Sequence, residues 1–148
     1  LADIKLSDKQ IEVSQSELKS FDFDSTDCPD LFPPLVALAS YCKGITTIKG
    51  VQRLKDKESD RGLTLQQEFG KMGIDIIIND DEMKISGGTD IIGAVVQSHN
   101  DHRIAMACSI AALGAKGEVV IENAECVEKS YPDFYKDLAS LGASIQIN

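Results

Sequence analysis

The chain has 148 residues, of which 43% are hydrophobic and 26% are charged, and its formal net charge is −9. These values fit one soluble globular domain with a buried core, and no apolar run reaches the roughly 20 residues that a transmembrane helix needs. The acidic balance argues against nucleic acid and against an anionic membrane as partners, because both require a basic surface.

The four cysteines form no C-x-x-C pair, and the chain contains two histidines. We therefore expect no metal site, and we expect a reducing, cytoplasmic location. No basic segment followed by an apolar segment opens the chain, so no secretory signal is predicted. The first residue is Leu1 rather than Met, so we expect either a fragment or a processed chain.

Alternation of apolar and polar residues predicts strands at residues 11–14 and 21–24. The proline-containing stretch 27–34 then predicts a helix start, because proline is tolerated in a first helical turn. An apolar helix over 35–41 and a strand over 45–49 follow from the same kind of pattern.

The middle of the chain predicts a charged connector over 51–61 and a helix over about 60–72. Gly73 is a suitable residue for the end of that helix. A strand over 74–78 and its hairpin partner over 83–86 complete this part.

The second half predicts a short strand within 91–99, a helix over 104–113 and a strand over 119–121. A last helix follows the capping segment 130–133, and a final strand is predicted over 143–147.

The order of elements repeats itself. The offset between matching glycines is 73 residues from Gly44 to Gly117 and 69 residues from Gly73 to Gly142. We predict an α/β (α+β) fold of duplicated β-α-β-α-β-β repeats with mixed sheets and with helices on one side. It forms one domain, 1–148, with repeat units at about 10–88 and 89–148.

Polar clusters occupy the start of each predicted helix, and their members are Asp30, Lys57, Glu58, Arg61, His102, Arg103 and Lys129. If these helix starts point the same way, their dipoles and cations form one cationic surface that suits phosphate and carboxylate groups. The carboxyl groups would then be acid or base groups among cations. Each cluster alone has a structural explanation as a cap or a solvated connector, so the hypothesis depends on their coincidence at equivalent positions.

Four motifs, read in order, resemble the C-terminal part of the 5-enolpyruvylshikimate-3-phosphate (EPSP) synthase family. They are Pro-Asp at 29–30, Lys-Glu-Ser-Asp-Arg at 57–61, Asn-Asp-His-Arg-Ile-Ala-Met at 100–106 and Cys-Val-Glu-Lys-Ser-Tyr-Pro-Asp-Phe at 126–134. The resemblance extends from about residue 10 to the end. It implies an enolpyruvyl transferase-like half-domain, about two of the three α/β repeats that form one of the enzyme's two domains.

The resemblance also implies a reaction. The family transfers the enolpyruvyl group of phosphoenolpyruvate to the 5-hydroxyl of shikimate 3-phosphate, without metal or organic cofactor, through a tetrahedral intermediate. The implied partners are these two substrates and the missing N-terminal domain of the same enzyme, and a monomer is expected. Because that domain supplies much of the substrate pocket, we expect the isolated chain to fold but not to turn over.

By the same resemblance, Asp30 contacts the 5-hydroxyl and is a candidate base, with Lys57 near the same substrate. Glu58 is a candidate for proton transfer at the methylene carbon of phosphoenolpyruvate. Arg61 and Arg103 hold its carboxylate and phosphate, with His102 beside them. Lys129 binds phosphate or acts as a further acid or base, and the assignment of individual protons stays open.

Two alternatives differ in function. An enolpyruvyl transferase acting on UDP-N-acetylglucosamine shares the fold, but the Lys-Glu-Ser-Asp-Arg motif argues against it. A non-catalytic module that binds anionic metabolites would use the same cationic residues without a proton-transfer step.

Overall fold

A computed structural model describes residues 3–14 and 16–147, and it contains eight strands and four α-helices among them. The strands are β1 (Asp3–Leu6), β2 (Ile11–Ser14), β3 (Asp22–Asp24), β4 (Gly44–Lys49), β5 (Asp75–Asn79), β6 (Glu82–Gly87), β7 (Ile92–Gln97) and β8 (Lys116–Glu122). The α-helices are α1 (Phe32–Tyr41), α2 (Arg61–Lys71), α3 (His102–Ala112) and α4 (Phe134–Ser140). Short 3-10 helices at Pro29–Leu31, Val51–Leu54 and Ala124–Lys129 precede α1, α2 and α4 along the chain.

The strands form three sheets, and the predicted α/β class with mixed sheets is confirmed. Strands β1 and β2 pair as an antiparallel hairpin, and β7 and β8 pair in parallel. The largest sheet has the order β3-β4-β6-β5, with β3 parallel to β4 and the other neighbours antiparallel. A parallel pair requires a crossover connection, and α1 and α3 supply it for β3–β4 and β7–β8.

The prediction of a final strand over 143–147 is wrong, since these residues form no strand. The corresponding strand β5 is held by its hairpin partner β6. Among the described residues the β7–β8 sheet has no third strand in the position of β6. A segment of suitable sequence therefore lacks the backbone partners that would make it a strand.

Two matching units follow the hairpin, and besides the strands that the second unit lacks among the described residues, they differ in the length of one helix. Gly44 is the first residue of β4 and Gly117 is the second residue of β8, and both have a positive φ (107° and 110°). Helix α2 has 11 residues and α4 has 7. The missing turn of α4 accounts for the smaller offset between Gly73 and Gly142 that the sequence shows.

The main core is continuous across both units. Phe32 of α1, Phe69 of α2 and Ile104 of α3 are fully buried together with Ile48 and Ile85 of the four-stranded sheet. Helix α3 packs against both α1 and α2. This packing brings the N-terminal turns of the three helices together at one side of the molecule.

Helix α3 begins at His102, two residues earlier than predicted, because the Asp101 side chain caps it by accepting a hydrogen bond from the backbone N–H of Arg103 (3.0 Å). His102 and Arg103 therefore lie inside the first turn of α3 rather than in front of it.

Helix α1 begins at Phe32 and carries Pro33 and Pro34 in its first turn, where no intrahelical N–H is needed.

Candidate active site

A cavity of about 360 Å³ opens where the N-terminal turns of α1, α2 and α3 meet. Most of the polar side chains predicted from the sequence lie around it. The lining residues are Asp30, Asp56, Lys57, Glu58, Arg61, His102 and Arg103.

A buried arginine at the start of α2 forms the floor of this cavity. The side chain of Arg61 is only 1% exposed, and its Nε donates to Oδ2 of Asp101 at 2.6 Å, while Nη2 reaches Oδ1 at 3.3 Å. Asp101 is itself fully buried and also accepts a hydrogen bond from Ser59 Oγ (3.2 Å). Burial alone would lower the pKa of Arg61, but the hydrogen bonds and charge of Asp101 raise it overall. Arg61 therefore stays charged, and its contact with Asp101 joins α2 to α3.

Asp30 connects three cations at the outer side of the cavity. Its Oδ1 accepts from Nη1 of Arg61 at 2.9 Å, and its Oδ2 accepts from Nη2 of Arg103 at 3.1 Å. The Nζ of Lys57 lies 3.7 Å from Oδ1. Burial raises the pKa of Asp30, but Arg103, Arg61 and Lys57 together lower it below its usual value. Asp30 is therefore a carboxylate at neutral pH.

The expectation of a strongly cationic surface needs correction. Glu58 accepts a hydrogen bond from Nη2 of Arg61, so this arginine contacts three carboxyl groups. Arg103 is paired with Asp30. A guanidinium taken out of water requires counter-charges, and the neighbouring helix starts supply them. The sequence indicated the cations correctly but could not show that carboxylates neutralise them.

His102 and Lys129 occupy different sides of the start of α3. His102 lines the cavity, and its Nδ1 atom is buried without a hydrogen-bond partner among the described residues. The Nζ of Lys129 donates to the backbone oxygen of Asn100 at 3.1 Å. Lys129 does not line the cavity, whereas the other six predicted site residues do. Its bond to Asn100 places it next to the start of α3.

Sequence reasoning missed Asp101, which bonds to Arg61, and gave no role in the site to Asp56 or Ser59. The available signal for Asp101 was its position directly before an apolar helix, which is typical of a capping residue. That signal predicts the bond to the backbone of Arg103, but not the contact with a side chain forty positions earlier.

Within residues 3–14 and 16–147, no group of three or more His, Cys, Asp or Glu side chains is arranged to hold a metal ion. In the same part of the chain, no helix has the length and apolar character needed to cross a membrane. All four cysteines are free thiols.

Comparison with known proteins identifies the family. A profile of EPSP synthase (3-phosphoshikimate 1-carboxyvinyltransferase) matches residues 2–138. The chain belongs to the EPSP synthase family. The resemblance predicted from the four motifs is thereby confirmed.

Curated relatives show how much of the family's length is present. The chain is 44% identical over 135 residues to the 3-phosphoshikimate 1-carboxyvinyltransferase of Clostridium kluyveri, covering 91% of the chain and 32% of that protein. It is 43% identical over 140 residues to the Thermococcus kodakarensis protein of the same name, covering 95% and 35%. The chain thus spans about a third of the length of these relatives.

Solved structures share the fold. EPSP synthase from Acinetobacter baumannii matches with a TM-score of 0.89 and 29% identity, over 99% of this chain and 38% of that one. The enolpyruvyl transferase NikO from Streptomyces tendae matches with a TM-score of 0.76 at 21% identity, over 98% and 33%. The second similarity concerns the fold alone.

Proposed function

We propose that this chain carries half of the active site of an EPSP synthase. The enzyme would transfer the enolpyruvyl group of phosphoenolpyruvate to the 5-hydroxyl of shikimate 3-phosphate and release phosphate. The observation that carries the proposal is the cavity at the meeting point of three helix starts, which is lined by Arg61, Arg103 and Lys57 beside three carboxylates. The chain's membership of the EPSP synthase family supports assigning this reaction to the cavity.

Arg103 is the group best suited to contact an anionic substrate directly. Its side chain is 34% exposed at the cavity and its partner Asp30 is 51% exposed, so a phosphate or carboxylate can replace Asp30 at the guanidinium. The N–H groups at the start of α3 favour the same negative charge. Arg61, Lys57, His102 and Lys129 would complete the binding surface, with Arg61 acting from the buried side.

Two proton movements accompany the addition step. The 5-hydroxyl oxygen forms a bond to C2 of phosphoenolpyruvate and loses its proton to a base, while an acid adds a proton to the methylene carbon. Elimination then removes one proton from the new methyl group as the bond from C2 to the phosphate oxygen breaks. Asp30, Glu58 and Lys129 are the candidate proton carriers, and the cations around the cavity would stabilise the charge on the intermediate.

The ion pair between Asp30 and Arg103 suggests how substrate binding would prepare the base. Arg103 is one of the charges that lower the pKa of Asp30. When a substrate anion takes Arg103, that stabilisation weakens and the pKa of Asp30 rises. Asp30 would then accept a proton from the hydroxyl more readily than in the free protein.

The remaining parts of the proposal concern the whole protein. The chain would form one domain, 1–148, of two repeat units at about 10–88 and 89–148, and would work with a further N-terminal domain in a monomer. It would need no cofactor. A cytoplasmic location fits its four free thiols.

The test uses the full-length protein with Arg103→Ala. We expect affinity for phosphoenolpyruvate to fall roughly tenfold or more while thermal stability changes little, because the lost contact is with the ligand. Calorimetric titration with phosphoenolpyruvate, and phosphate release in the presence of shikimate 3-phosphate, measure the effect.

Lys116→Ala is the matched control, since Lys116 is an exposed cation that pairs with Asp90 on the β7–β8 side of the chain. It should leave affinity and turnover unchanged. An Arg103→Ala protein that is destabilised but binds phosphoenolpyruvate normally would contradict the proposal. Turnover by the 148-residue chain alone would contradict the half-site.

A further inference from the structure

A second polar contact joins α2 to the turn in front of α3, outside the cavity. Glu68 lies two helical turns after Arg61 and its side chain is fully buried. Its Oε2 accepts from the backbone N–H of Gln97 at 2.8 Å and from Nζ of Lys71 at 2.6 Å, and its Oε1 lies 2.9 Å from Nε2 of His99.

Glu68 is charged despite its burial. Burial alone raises the pKa of this carboxyl group, but the hydrogen bonds from Lys71, His99 and Gln97 lower it below the usual value. A well-packed apolar side chain often stabilises such a position as well as a buried ion pair does. The specific partners of Glu68 therefore point to a role in geometry.

The turn that Glu68 contacts has an unusual backbone. His99 and Asn100 are consecutive non-glycine residues with positive φ, at 53° and 58°. Residues other than glycine rarely adopt this left-handed backbone conformation, and the surrounding structure must hold it in place. Ser98 Oγ holds one side of the turn by accepting from the Asn100 N–H (3.1 Å) and donating to the Asn123 oxygen (2.9 Å). Glu68 holds the other side.

The same turn sets the geometry of the cavity. The backbone oxygen of Asn100 accepts the hydrogen bond from Lys129, and Asp101 follows directly and holds Arg61. Arg103 extends from the next turn to Asp30. A change in the backbone at His99 and Asn100 would therefore move several groups of the cavity together.

We propose that Glu68 is a positioning residue for this site, acting through His99 and the backbone of Gln97. It does not line the cavity. It holds the turn 97–101 in the conformation that places Asp101 against Arg61, the Asn100 carbonyl against Lys129 and Arg103 against Asp30. The proposal rests on the proposed function for its kinetic readout, and its structural readout is independent of that function.

The experiment compares three variants of the full-length protein with the wild type. Glu68→Gln removes the charge, His99→Ala removes the side-chain contact, and His99→Gln keeps a side-chain N–H donor at a similar distance. We expect the KM for phosphoenolpyruvate to rise roughly tenfold in the first two and to stay near the wild-type value in the third. The double variant of Glu68→Gln with His99→Ala should be no worse than Glu68→Gln alone, because each change weakens the same contact between Glu68 and His99.

Lys71→Gln is the control for a merely structural role. Lys71 bonds to the same carboxylate, and no hydrogen bond from it to the turn is found among the described residues, so this variant should lower the melting temperature without changing the KM for phosphoenolpyruvate. An equal rise in KM for Lys71→Gln, or a loss of stability in Glu68→Gln with an unchanged KM, would overturn the proposal. If Glu68→Gln does not fold, the difference between His99→Ala and His99→Gln decides.

Amide hydrogen exchange separates this proposal from the proposed function. Exchange at residues 97–103 should accelerate in Glu68→Gln and His99→Ala but not in Lys71→Gln, with no substrate present. A wild-type protein without synthase activity would contradict the proposed function, and the exchange pattern would still decide the role of Glu68. Unchanged exchange in both Glu68→Gln and His99→Ala would overturn that role.

Discussion

The two α/β units place opposite kinds of side chain at the same backbone position. Arg61 begins α2 and Phe134 begins α4, 73 residues later, and each follows an aspartate at the capping position. Arg61 is buried among carboxylates, whereas Phe134 is buried against Ala105, Cys126 and Val127. The side chain at this position is buried in both units. Whether it is charged or apolar determines whether carboxylates or apolar side chains surround it.

Two ion pairs join the helix starts of the two units, and the partners of one of them, Asp30 and Arg103, lie 73 residues apart. Arg61 of the first unit is paired with Asp101 of the second, and Arg103 of the second is paired with Asp30 of the first. The Arg61–Asp101 pair is buried and the Arg103–Asp30 pair is partly exposed. The difference indicates a division of roles, in which the inner pair fixes the two units and the outer pair meets the substrate.

The largest expected effect comes from breaking the buried pair. Asp101→Ala should lower the free energy of unfolding by about 3–5 kcal/mol, because it leaves Arg61 without its buried counter-charge and α3 without its cap. Urea denaturation measures the change.

Cys28→Ala is the control, since Cys28 occupies the position equivalent to Asp101 in the first unit and is only partly buried. Its cost should stay below about 1 kcal/mol. Equal costs for the two variants would show that the two positions contribute equally, and that the inner pair has no special structural role.

The backbone before the two 3-10 helices provides a second, smaller contrast. Gly50 has φ of 101°, and a Cβ there would lie 2.8 Å from the backbone N and Cα of Thr26. Its counterpart Asn123 has φ of 55°, a backbone angle that asparagine adopts more readily than most residues with a side chain. Gly50→Ala should therefore cost roughly 2–3 kcal/mol, whereas Asn123→Gly should change stability by about 0.5 kcal/mol or less.

Thermal unfolding of both variants provides the measurement. Because Gly50 leads into the segment that carries Lys57 and Glu58, the variant should also bind phosphoenolpyruvate less well. A Gly50→Ala protein as stable as Asn123→Gly would mean that the backbone at Thr26 moves aside, and that the two positions are equally tolerant.

Local signals explain how much of the fold could be predicted. The sequence offered Ser59 or Asp60 as the cap of α2 and Gly73 as the residue that ends it; in the structure Asp60 is the cap and Gly73 has a positive φ. The prediction of a strand over 143–147 was wrong because a strand needs a partner strand, which is distant in sequence. Propensity describes a segment, whereas a strand is a property of two segments.

The same limit applies to the candidate site. The clusters at helix starts indicated which cations lie near the cavity, but a count of charges does not show which carboxylates face them. The pairing of Arg61 with Asp101 depends on how α2 packs against α3. The role of Glu68 is equally hidden, because a glutamate in an amphipathic helix is usually a solvated residue.

The smallest expected effect on stability concerns the exposed pair, and it tests the proposed division of roles directly. A double-mutant cycle with Asp30→Asn and Arg103→Gln should give a coupling energy for unfolding below about 1 kcal/mol, because both side chains can be solvated when the partner is lost. Asp30→Asn should also leave phosphoenolpyruvate binding intact or slightly tighter, since it releases Arg103, while turnover falls through loss of a candidate base. Urea denaturation, calorimetric titration and phosphate release provide the three measurements.

A coupling energy above roughly 2 kcal/mol would make this pair as structural as the buried one, because surface ion pairs seldom reach that value. Arg103 would then be held too firmly by Asp30 to exchange it for a substrate anion, and the contrast between the inner and the outer pair would be lost.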